Sequence, residues 1–262
     1  MAQLKAGTTI GGRDIVQEFD SHKVETVQQS VHGLKTMGNI TLYVDATNGN
    51  NNNPGTQSQP LKTIGAAVAK ITNLVIDYGH TITIQLAPGT YTENIYINNL
   101  CGAGTIYLKG GNSLSEADNY VIDGFVWFTG CTCLVWIYGI KIKGSASRDG
   151  AVIIDYCSSV RISNCKIDKS GRIYTANYGI IVGAFSSVWI ADNDISNIAG
   201  GSGGSSYNVA IMAWETSRVY SRNNSGSNNG VGLKTRAGTI MKYGTQPSGT
   251  TAEVVEQGGV IR

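Results

Sequence analysis

Four segments of this chain align without gaps, and their repetition constrains the fold more than any other feature of the sequence. They are CLVWIYGIKI (133–142), SSVRISNCKI (158–167), SSVWIADNDI (186–195) and SRVYSRNNSG (217–226). Their anchor residues, spaced by 25, 28 and 31 positions, are Val135, Val160, Val188 and Val219. Ile106 precedes this series by 29 residues, and Ile240 follows it after 21. A repeat of about two dozen residues with variable spacing predicts stacked units that differ only in the length of their turns.

Equivalent positions of the repeats share one chemical character. The column two residues after the anchor reads Leu108, Ile137, Ile162, Ile190 and Ser221. The next column holds residue types that tolerate left-handed backbone angles, namely Gly139, Asn164, Asp192 and Asn223. A further apolar column reads Ile142, Ile167 and Ile195. Alternate residues of a strand face one side, so these columns predict an all-β fold, a right-handed parallel β-helix (a solenoid) with a stacked apolar core.

Two further features of the repeats bear on this fold. A second apolar strand precedes each anchor, as VWFT (126–129), VIID (152–155), IIVG (180–183) and IMAW (211–214). Ser221 and Lys242 interrupt the inward column, which indicates either that the solenoid tapers there or that the alignment fails. We expect β-helix rungs over residues 105–247 and an extended C-terminal tail over 248–262.

The first 40 residues have a different pattern. Val24, Val27, Val31 and Leu34 follow a 3-4-3 spacing, which predicts a short N-terminal helical segment within residues 1–40. This helix would either lie over the end of the domain or serve as an attachment and oligomerisation segment, since a stripe so short supports either packing.

Residues 41–104 contain the motifs that relate the chain to a known family. A strand and an Asn-rich loop lead to Pro54-Gly55-Thr56, then to a helix starting near Lys62 within PLKTI (60–64), and then to Pro88-Gly89-Thr90-Tyr91. This module resembles the one that begins the β-helix in the pectate-lyase-like superfamily. The resemblance extends over about residues 42–245. It implies the fold but not the chemistry, because that superfamily includes lyases, hydrolases, epimerases and non-catalytic phage tail proteins.

Composition narrows the classes of partner. The net charge of +2 and the charged fraction of 15% predict no nucleic-acid partner. The sequence contains no run of 18 apolar residues, so we expect no membrane insertion. The N-terminus also has no apolar signal segment. Five Cys without regular pairing argue against a disulfide scaffold, and Cys131-Thr-Cys133 lacks the partners of a zinc site. We therefore expect no metal and no cofactor.

The carboxylates of the repeats are the sequence's candidates for catalysis. All three His residues precede the repeats, so a glycosidase-like site would use Asp168, Asp192 and Asp194. The alternative is structural, because Asp192 falls in the turn column and Asp194 in a solvated Lys column. Glu215 and Arg236 fall in one column of adjacent rungs and predict an inter-rung salt bridge.

One outward column is unusual for a soluble surface. The residues one position after each anchor are Tyr107, Trp136, Arg161, Trp189, Tyr220 and Met241. Three explanations are open for a stripe of large residues at rung spacing: a seam between the subunits of a trimer, a platform on which sugars stack, or a surface covered by turns of the same rungs.

Together with the segment AGTTIGGRD (6–14) near the start of the sequence, these features are similar to those of bacteriophage tail fibres and tailspikes. The resemblance implies a homotrimeric virion component, made in the host cytoplasm without a signal peptide, that binds host-surface polysaccharide during adsorption. Its residues 1–40 would contact other tail or baseplate proteins. The alternatives are a polysaccharide depolymerase, either a hydrolase or a lyase, and a structural baseplate or collar adaptor.

Overall fold

The chain folds as a right-handed parallel β-helix, which confirms the predicted all-β class. The computed structural model describes residues 9–10, 13–14, 34–172, 174–204 and 207–262. Strands make up 49% of the structure and helices 7%. Among the described strands, all the pairs are parallel except the first, β1 (Thr9–Ile10) with β2 (Arg13–Asp14).

The elements before the repeats are short. The next strands in chain order are β3 (Leu34–Lys35), β4 (Ile40–Val44), β5 (Leu74–Ile76), β6 (Thr81–Leu86), β7 (Gly89–Tyr91), β8 (Ile95–Asn98) and β9 (Cys101–Gly102). Helix α1 (Ile64–Ile71) lies between β4 and β5, and a 3-10 helix covers Leu114–Asn119.

The repeats supply the remaining strands. They are β10 (Thr105–Lys109), β11 (Tyr120–Ile122), β12 (Val126–Thr129), β13 (Leu134–Tyr138), β14 (Lys141–Ile142), β15 (Gly150–Asp155), β16 (Ser159–Ser163), β17 (Lys166–Asp168), β18 (Asn177–Val182), β19 (Ser187–Ala191), β20 (Asp194–Ser196), β21 (Asn208–Trp214), β22 (Arg218–Arg222), β23 (Asn229–Arg236), β24 (Thr239–Tyr243), β25 (Gly249–Glu256) and β26 (Val260–Ile261).

Three long sheets run along the solenoid. The nine-stranded sheet has the order β4-β6-β10-β13-β16-β19-β22-β24-β26. The five-stranded sheet has the order β7-β11-β14-β17-β20, and the seven-stranded sheet the order β8-β12-β15-β18-β21-β23-β25. A small sheet, β3-β5-β9, lies at the N-terminal end. A full rung therefore contributes one strand to each long sheet, and a single apolar core fills the space between them.

The predicted alignment of the repeats is the observed strand register. The anchors pair in the predicted order, Ile106, Val135, Val160, Val188, Val219 and Ile240. Both predicted inward columns are buried. The first stays buried as far along the chain as Ser221, which is 1% exposed. The turn column adopts positive φ throughout, as in Asn164 at 53° and Asp192 at 60°. The predicted strand register therefore continues through Ser221 and Lys242, where the sequence allowed either a tapering solenoid or a failed alignment.

A ladder of buried Asn side chains explains how polar residues enter the interior. The Asn193 side chain accepts a hydrogen bond from the Cys165 backbone N–H (2.8 Å) and donates to the Ile162 carbonyl (3.0 Å). Asn224 lies one rung further on and donates to Ser221 Oγ (2.9 Å). These bonds satisfy backbone groups at the corner between the nine-stranded and five-stranded sheets, where the ladder of strand hydrogen bonds is interrupted.

The two ends of the solenoid are closed in different ways. At the N-terminal end, α1 buries Ile64, Ala67, Val68 and Ile71, and the Glu93 carboxylate accepts hydrogen bonds from the first two backbone N–H groups of the helix. At the C-terminal end the inward positions become charged, and Lys242 forms an ion pair with Glu253. A charged last rung does not present bare apolar core to water.

Two of the predicted boundaries need correction. Leu34 does not belong to a helix, because it lies in β3 and is 57% exposed. Val24, Val27 and Val31, which carry the rest of that helix prediction, lie outside the described residues. Residues 248–262 do not form a separate tail, since β25 pairs with β23 and β26 with β24. They form a further partial rung. No helix among the described residues is long and apolar enough to cross a membrane.

Candidate functional site

The predicted aromatic column forms on the outer face of the nine-stranded sheet. Strand pairing places its members directly opposite one another, in the order Tyr107, Trp136, Arg161, Trp189, Tyr220 and Met241. We call these six residues the aromatic column. Each side chain lies one rung, about 4.8 Å, from the next, since that is the spacing of paired strands.

Contacts within the aromatic column hold its side chains in place. The rings of Tyr107 and Trp136 have centroids 5.3 Å apart, and the Arg161 guanidinium lies 5.2 Å from the Trp136 ring. Trp189 and Tyr220 stack at 5.8 Å with an interplanar angle of 19°. The Trp136 indole N–H also donates to Ser163 Oγ (2.7 Å). Side chains fixed in this way lose little conformational entropy when a ligand binds.

Two adjoining grooves follow the aromatic column. The first has a volume of about 320 Å³ and is lined by Trp136, Tyr138, Arg161, Ser163, Asn164, Trp189, Ala191 and Asp192. The second has a volume of about 380 Å³ and is lined by Trp189, Tyr220, Ser221, Arg222, Met241, Lys242 and Tyr243. Trp189 borders both grooves and is 42% exposed. Turns of the same rungs therefore do not cover the column, which removes one of the three explanations.

The three predicted catalytic carboxylates do not come together. Asp168 and Asp194 line a polar pocket of about 260 Å³ on the five-stranded sheet, whereas Asp192 lines the first groove beside the aromatic column. The reason is the corner between the two sheets. Asp192 occupies its left-handed turn, so it and Asp194 lie on different faces although they are two residues apart.

The polar pocket is an ion-pair network. Lys141 pairs with Asp118 (3.2 Å) and with Asp168 (3.6 Å), and Lys166 pairs with Asp118. Burial disfavours ionised Asp168, but hydrogen bonds from Ser170 and Asn197 outweigh it, and the pKa of this carboxyl is lowered. An acid held in its ionised, paired form does not suit proton donation to a leaving group. The structure thus favours a structural role for this cluster.

A cleft that the sequence did not reveal lies on the outer face of the seven-stranded sheet. Its volume is about 230 Å³, and it is lined by Trp127, Arg148, Asp149, Ile153, Asp155, Ile181, Gly183, Trp214 and Glu215. We call it the acidic cleft. The Arg148 guanidinium lies 4.5 Å from the Trp127 ring at one side of it. The sheet supplies both Trp residues, whereas Arg148 and Asp149 come from the loop before β15.

Glu215 of the acidic cleft does not form the predicted inter-rung salt bridge. Strand pairing places Trp214 opposite Arg236, so the Arg236 guanidinium lies over the Trp214 ring (5.6 Å). Its Nε donates to Gln257 Oε1 (2.7 Å). The alignment was one residue out at this point, because Glu215 already belongs to the turn after β21.

Asp155 is a half-buried acid of the acidic cleft. Burial raises the pKa of its carboxyl, and the negative charges of Glu215 and Asp149 add to this effect, against a hydrogen bond that Trp127 Nε1 donates to Oδ2 (3.0 Å). A carboxyl with a raised pKa beside a second carboxylate is the arrangement found where acid and base act together. The sequence carried no signal for this cleft, since no repeat column unites its residues by type.

Lys169 supports the loop that forms one wall of the acidic cleft. This residue is 2% exposed, and its ammonium donates to the backbone carbonyls of Arg148 (3.1 Å) and Asp149 (2.7 Å). Burial lowers the pKa of the Lys169 ammonium to about 8. The loop that positions Arg148 and Asp149 is therefore tied to a buried cation.

Replacing Lys169 with Met tests this contact through pH. In the folded protein the ammonium loses its proton near pH 8, whereas in the unfolded chain it keeps it to about 10.5, the ordinary value. Between these values the unfolded state binds more protons, so this group adds stability as pH rises. We expect the unfolding free energy of the wild type, relative to Lys169→Met, to increase by about 2–3 kcal/mol between pH 7 and pH 10. Urea unfolding of both proteins measures this, and a difference independent of pH would contradict it.

Comparisons with known proteins assign no role to these sites. A family model described as a protein of unknown function, DUF1565, matches residues 47–99. No curated protein shows significant sequence similarity to the chain. Among the described residues, no three His, Cys, Asp or Glu side chains lie close enough to hold a metal ion.

Solved structures with some likeness to the chain include three proteins. The Escherichia coli protein ybhc has 12% identity and a TM-score of 0.44, over 93% of this chain and 68% of that one. A rhamnogalacturonan lyase has 14% identity and a TM-score of 0.33, over 85% of this chain and 62% of its own length. A GH136 lacto-N-biosidase from Eubacterium ramulus has 9% identity and a TM-score of 0.17, over 94% of this chain and 70% of that one. The fold assignment therefore rests on the strand pairing itself.

Proposed function

We propose that the protein binds polysaccharide along the aromatic column. The observation that supports this most is that Trp189, partly exposed and stacked on Tyr220, borders both grooves. Flat side chains offer π faces and edges to the apolar faces of pyranose rings, and the polar groups beside them hydrogen bond to hydroxyls. A chain of sugars running along the solenoid axis would contact several rungs in succession.

The shape of this face favours a glycan over a subunit seam. Each groove is concave and has a volume within the range typical of small-molecule sites, roughly 300–1,000 Å³. In a subunit seam the partner's side chains would fill such grooves, and Asp, Glu and Lys would be depleted from its centre. The grooves here are bordered by Asp192 and Lys242, which together with Arg161 and Arg222 suit the hydroxyl and carboxylate groups of sugars better than an apolar partner face.

The finer proposal is a tail-fibre or tailspike-like virion component that adsorbs to host-surface polysaccharide. It draws its support from the resemblance of the sequence to phage tail proteins and from the open grooves along the β-helix. In this proposal the chain is a homotrimer, so that three weak sites act together through avidity, and residues 1–40 attach it to other tail or baseplate proteins.

Retention on immobilised glycans tests the proposal. Wild-type protein, Trp189→Ser and the control Tyr78→Ser are passed over purified bacterial capsular and O-antigen polysaccharides. Tyr78 is a matched exposed aromatic residue outside the aromatic column, 85% exposed. We expect wild type and Tyr78→Ser to be retained equally and Trp189→Ser to bind about 10-fold to 100-fold more weakly, as for the loss of one aromatic stacking partner. Equal retention of all three proteins, or of none, contradicts the proposal.

A further inference from the structure

We propose that the acidic cleft is a catalytic site that hydrolyses a glycosidic bond, with Asp155 as the general acid and Glu215 as the general base. The inference rests on the proposed function for its substrate class, a polysaccharide. The two sites are separate, because the aromatic column is on the nine-stranded sheet and the acidic cleft is on the seven-stranded sheet. Four observations at the acidic cleft support the assignment.

The first observation is that the two oxygens of Asp155 have different surroundings. Trp127 holds Oδ2 through its indole N–H (3.0 Å), whereas Oδ1 accepts no hydrogen bond from the described residues. The Asp155 side chain is thus oriented by one oxygen and leaves the other for a ligand. The carboxyl also keeps its proton to higher pH than an ordinary Asp, chiefly because it is buried. These are the properties required of a proton donor.

The second observation is the glycine beside this free oxygen. A Cβ at Gly183 would lie 2.7 Å from Asp155 Oδ1, closer than atoms pack without displacement. The backbone of Gly183 does not have the positive φ that would by itself favour glycine. A side chain at this position would therefore displace or cover Oδ1, whereas glycine leaves it open to the cleft.

The third observation is the placement of Glu215. It follows Trp214 at the end of β21, and both Glu215 and Thr216 have positive φ, 45° and 59°. Two successive residues in this region cost of order 1 kcal/mol each or more. The turn brings the Glu215 carboxylate to the wall of the acidic cleft, where it receives no hydrogen bond or ion pair from the described residues. A base must have such an uncommitted carboxylate to accept a proton from water.

The fourth observation is the pair of Trp residues at the acidic cleft. Trp127 and Trp214 both line it and come from strands of the same sheet, three rungs apart. An Arg guanidinium lies over each ring, Arg148 over Trp127 and Arg236 over Trp214, so each Trp would contact a sugar at one end of a short stretch of chain through its other face or its edge. A glycosidic bond within that stretch would lie over Asp155 and Gly183, since these residues occupy the two intervening rungs.

The reaction balances with water as the only co-reactant. A water oxygen bonds to the anomeric carbon of one sugar as the bond from that carbon to the bridging oxygen breaks. Asp155 gives its proton to the bridging oxygen, and Glu215 takes a proton from the water. Each cut yields one new reducing end, and exchange with solvent returns a proton to Asp155 and removes the one on Glu215.

The experiment follows chain length and retention on the same samples. Bacterial capsular and O-antigen polysaccharides labelled at the reducing end are incubated with wild type, Asp155→Asn, Glu215→Gln, Gly183→Val and the control Asp77→Asn. The side-chain amide in Asp155→Asn would keep an acceptor for the Trp127 indole, so this variant is expected to fold, and circular dichroism checks it. Asp77 is exposed and far along the chain from the cleft.

We expect wild type and Asp77→Asn to shorten a polysaccharide that they retain, and both Asp155→Asn and Glu215→Gln to cut at least about 100-fold more slowly with retention unchanged. Gly183→Val should be equally slow, because its side chain covers Oδ1. The wild-type rate should fall as pH rises through the pKa of Asp155, a group faced by Asp149, Glu215 and Arg148.

Three other outcomes would contradict one or both proposals. Retention without shortening by wild type removes this inference and leaves the proposed function intact. Shortening that Asp155→Asn performs as fast as wild type removes the assignment of the acid. If the wild type shows neither retention nor shortening, both proposals are wrong.

Discussion

Asn193→Ala is expected to lower the free energy of unfolding by about 3 kcal/mol. The substitution removes the hydrogen bonds that the Asn193 side chain makes with the Cys165 backbone N–H, the Ile162 carbonyl and the Asn224 side chain. Asn193 is fully buried, so water does not replace these partners. A buried hydrogen-bonding group left without a partner costs about 1–3 kcal/mol, and at least two backbone groups lose theirs here.

Urea unfolding followed by circular dichroism measures this loss. The control is Asn52→Ala, a residue exposed in the loop before α1, for which we expect a change within about 0.5 kcal/mol. If Asn193→Ala were as stable as this control, the Asn ladder would not be holding the corner between the nine-stranded and five-stranded sheets.

Phe128→Ala is expected to cost about 3–5 kcal/mol, the range for truncation of a buried Phe. Phe128 points into the core from β12, between Ile97 of the preceding rung and Ile154 of the following one, and all three are 0% exposed. Because each rung of a solenoid contacts only its neighbours, the cavity weakens the interfaces on both sides of this rung. The loss should therefore reduce the cooperativity of unfolding as well as the midpoint.

Thermal and urea unfolding, each followed by two probes, test this second prediction. Far-ultraviolet dichroism reports the strands, and tryptophan fluorescence reports the rungs with Trp127, Trp136, Trp189 and Trp214. Tyr78→Ala, at an exposed site, is the control and should change stability little. Full retention of stability in Phe128→Ala would mean that this part of the core is not packed as described.

The rungs were predictable because their determinants are local and repeated. Inward residues alternate along each strand, and the same column recurs in every rung, so an alignment of Val135, Val160, Val188 and Val219 also aligns the hydrogen-bonded pairs. The aromatic column was found for the same reason. Residues at the same distance from the anchor lie in the same column of every rung wherever the strand register is kept.

The acidic cleft was not predictable by that route. Arg148 and Asp149 come from a loop between strands, and loops are the parts of the repeat that change in length. Asp155, Gly183 and Trp214 do share one column, but they differ in character and so gave no pattern to recognise. The three carboxylates that did look clustered in sequence were separated by the left-handed turn at Asp192.

Glycan binding by the aromatic column is tested most directly by comparing the wild type with Trp136→Ser/Trp189→Ser. The mass in solution, by light scattering, and the retention on polysaccharide are measured on the same samples. If the aromatic column binds glycan, both proteins have the same mass, and only the double mutant loses retention. If the mutant falls into smaller species, or retains polysaccharide as the wild type does, the column is a subunit seam or a structural stack, and the proposed function is wrong.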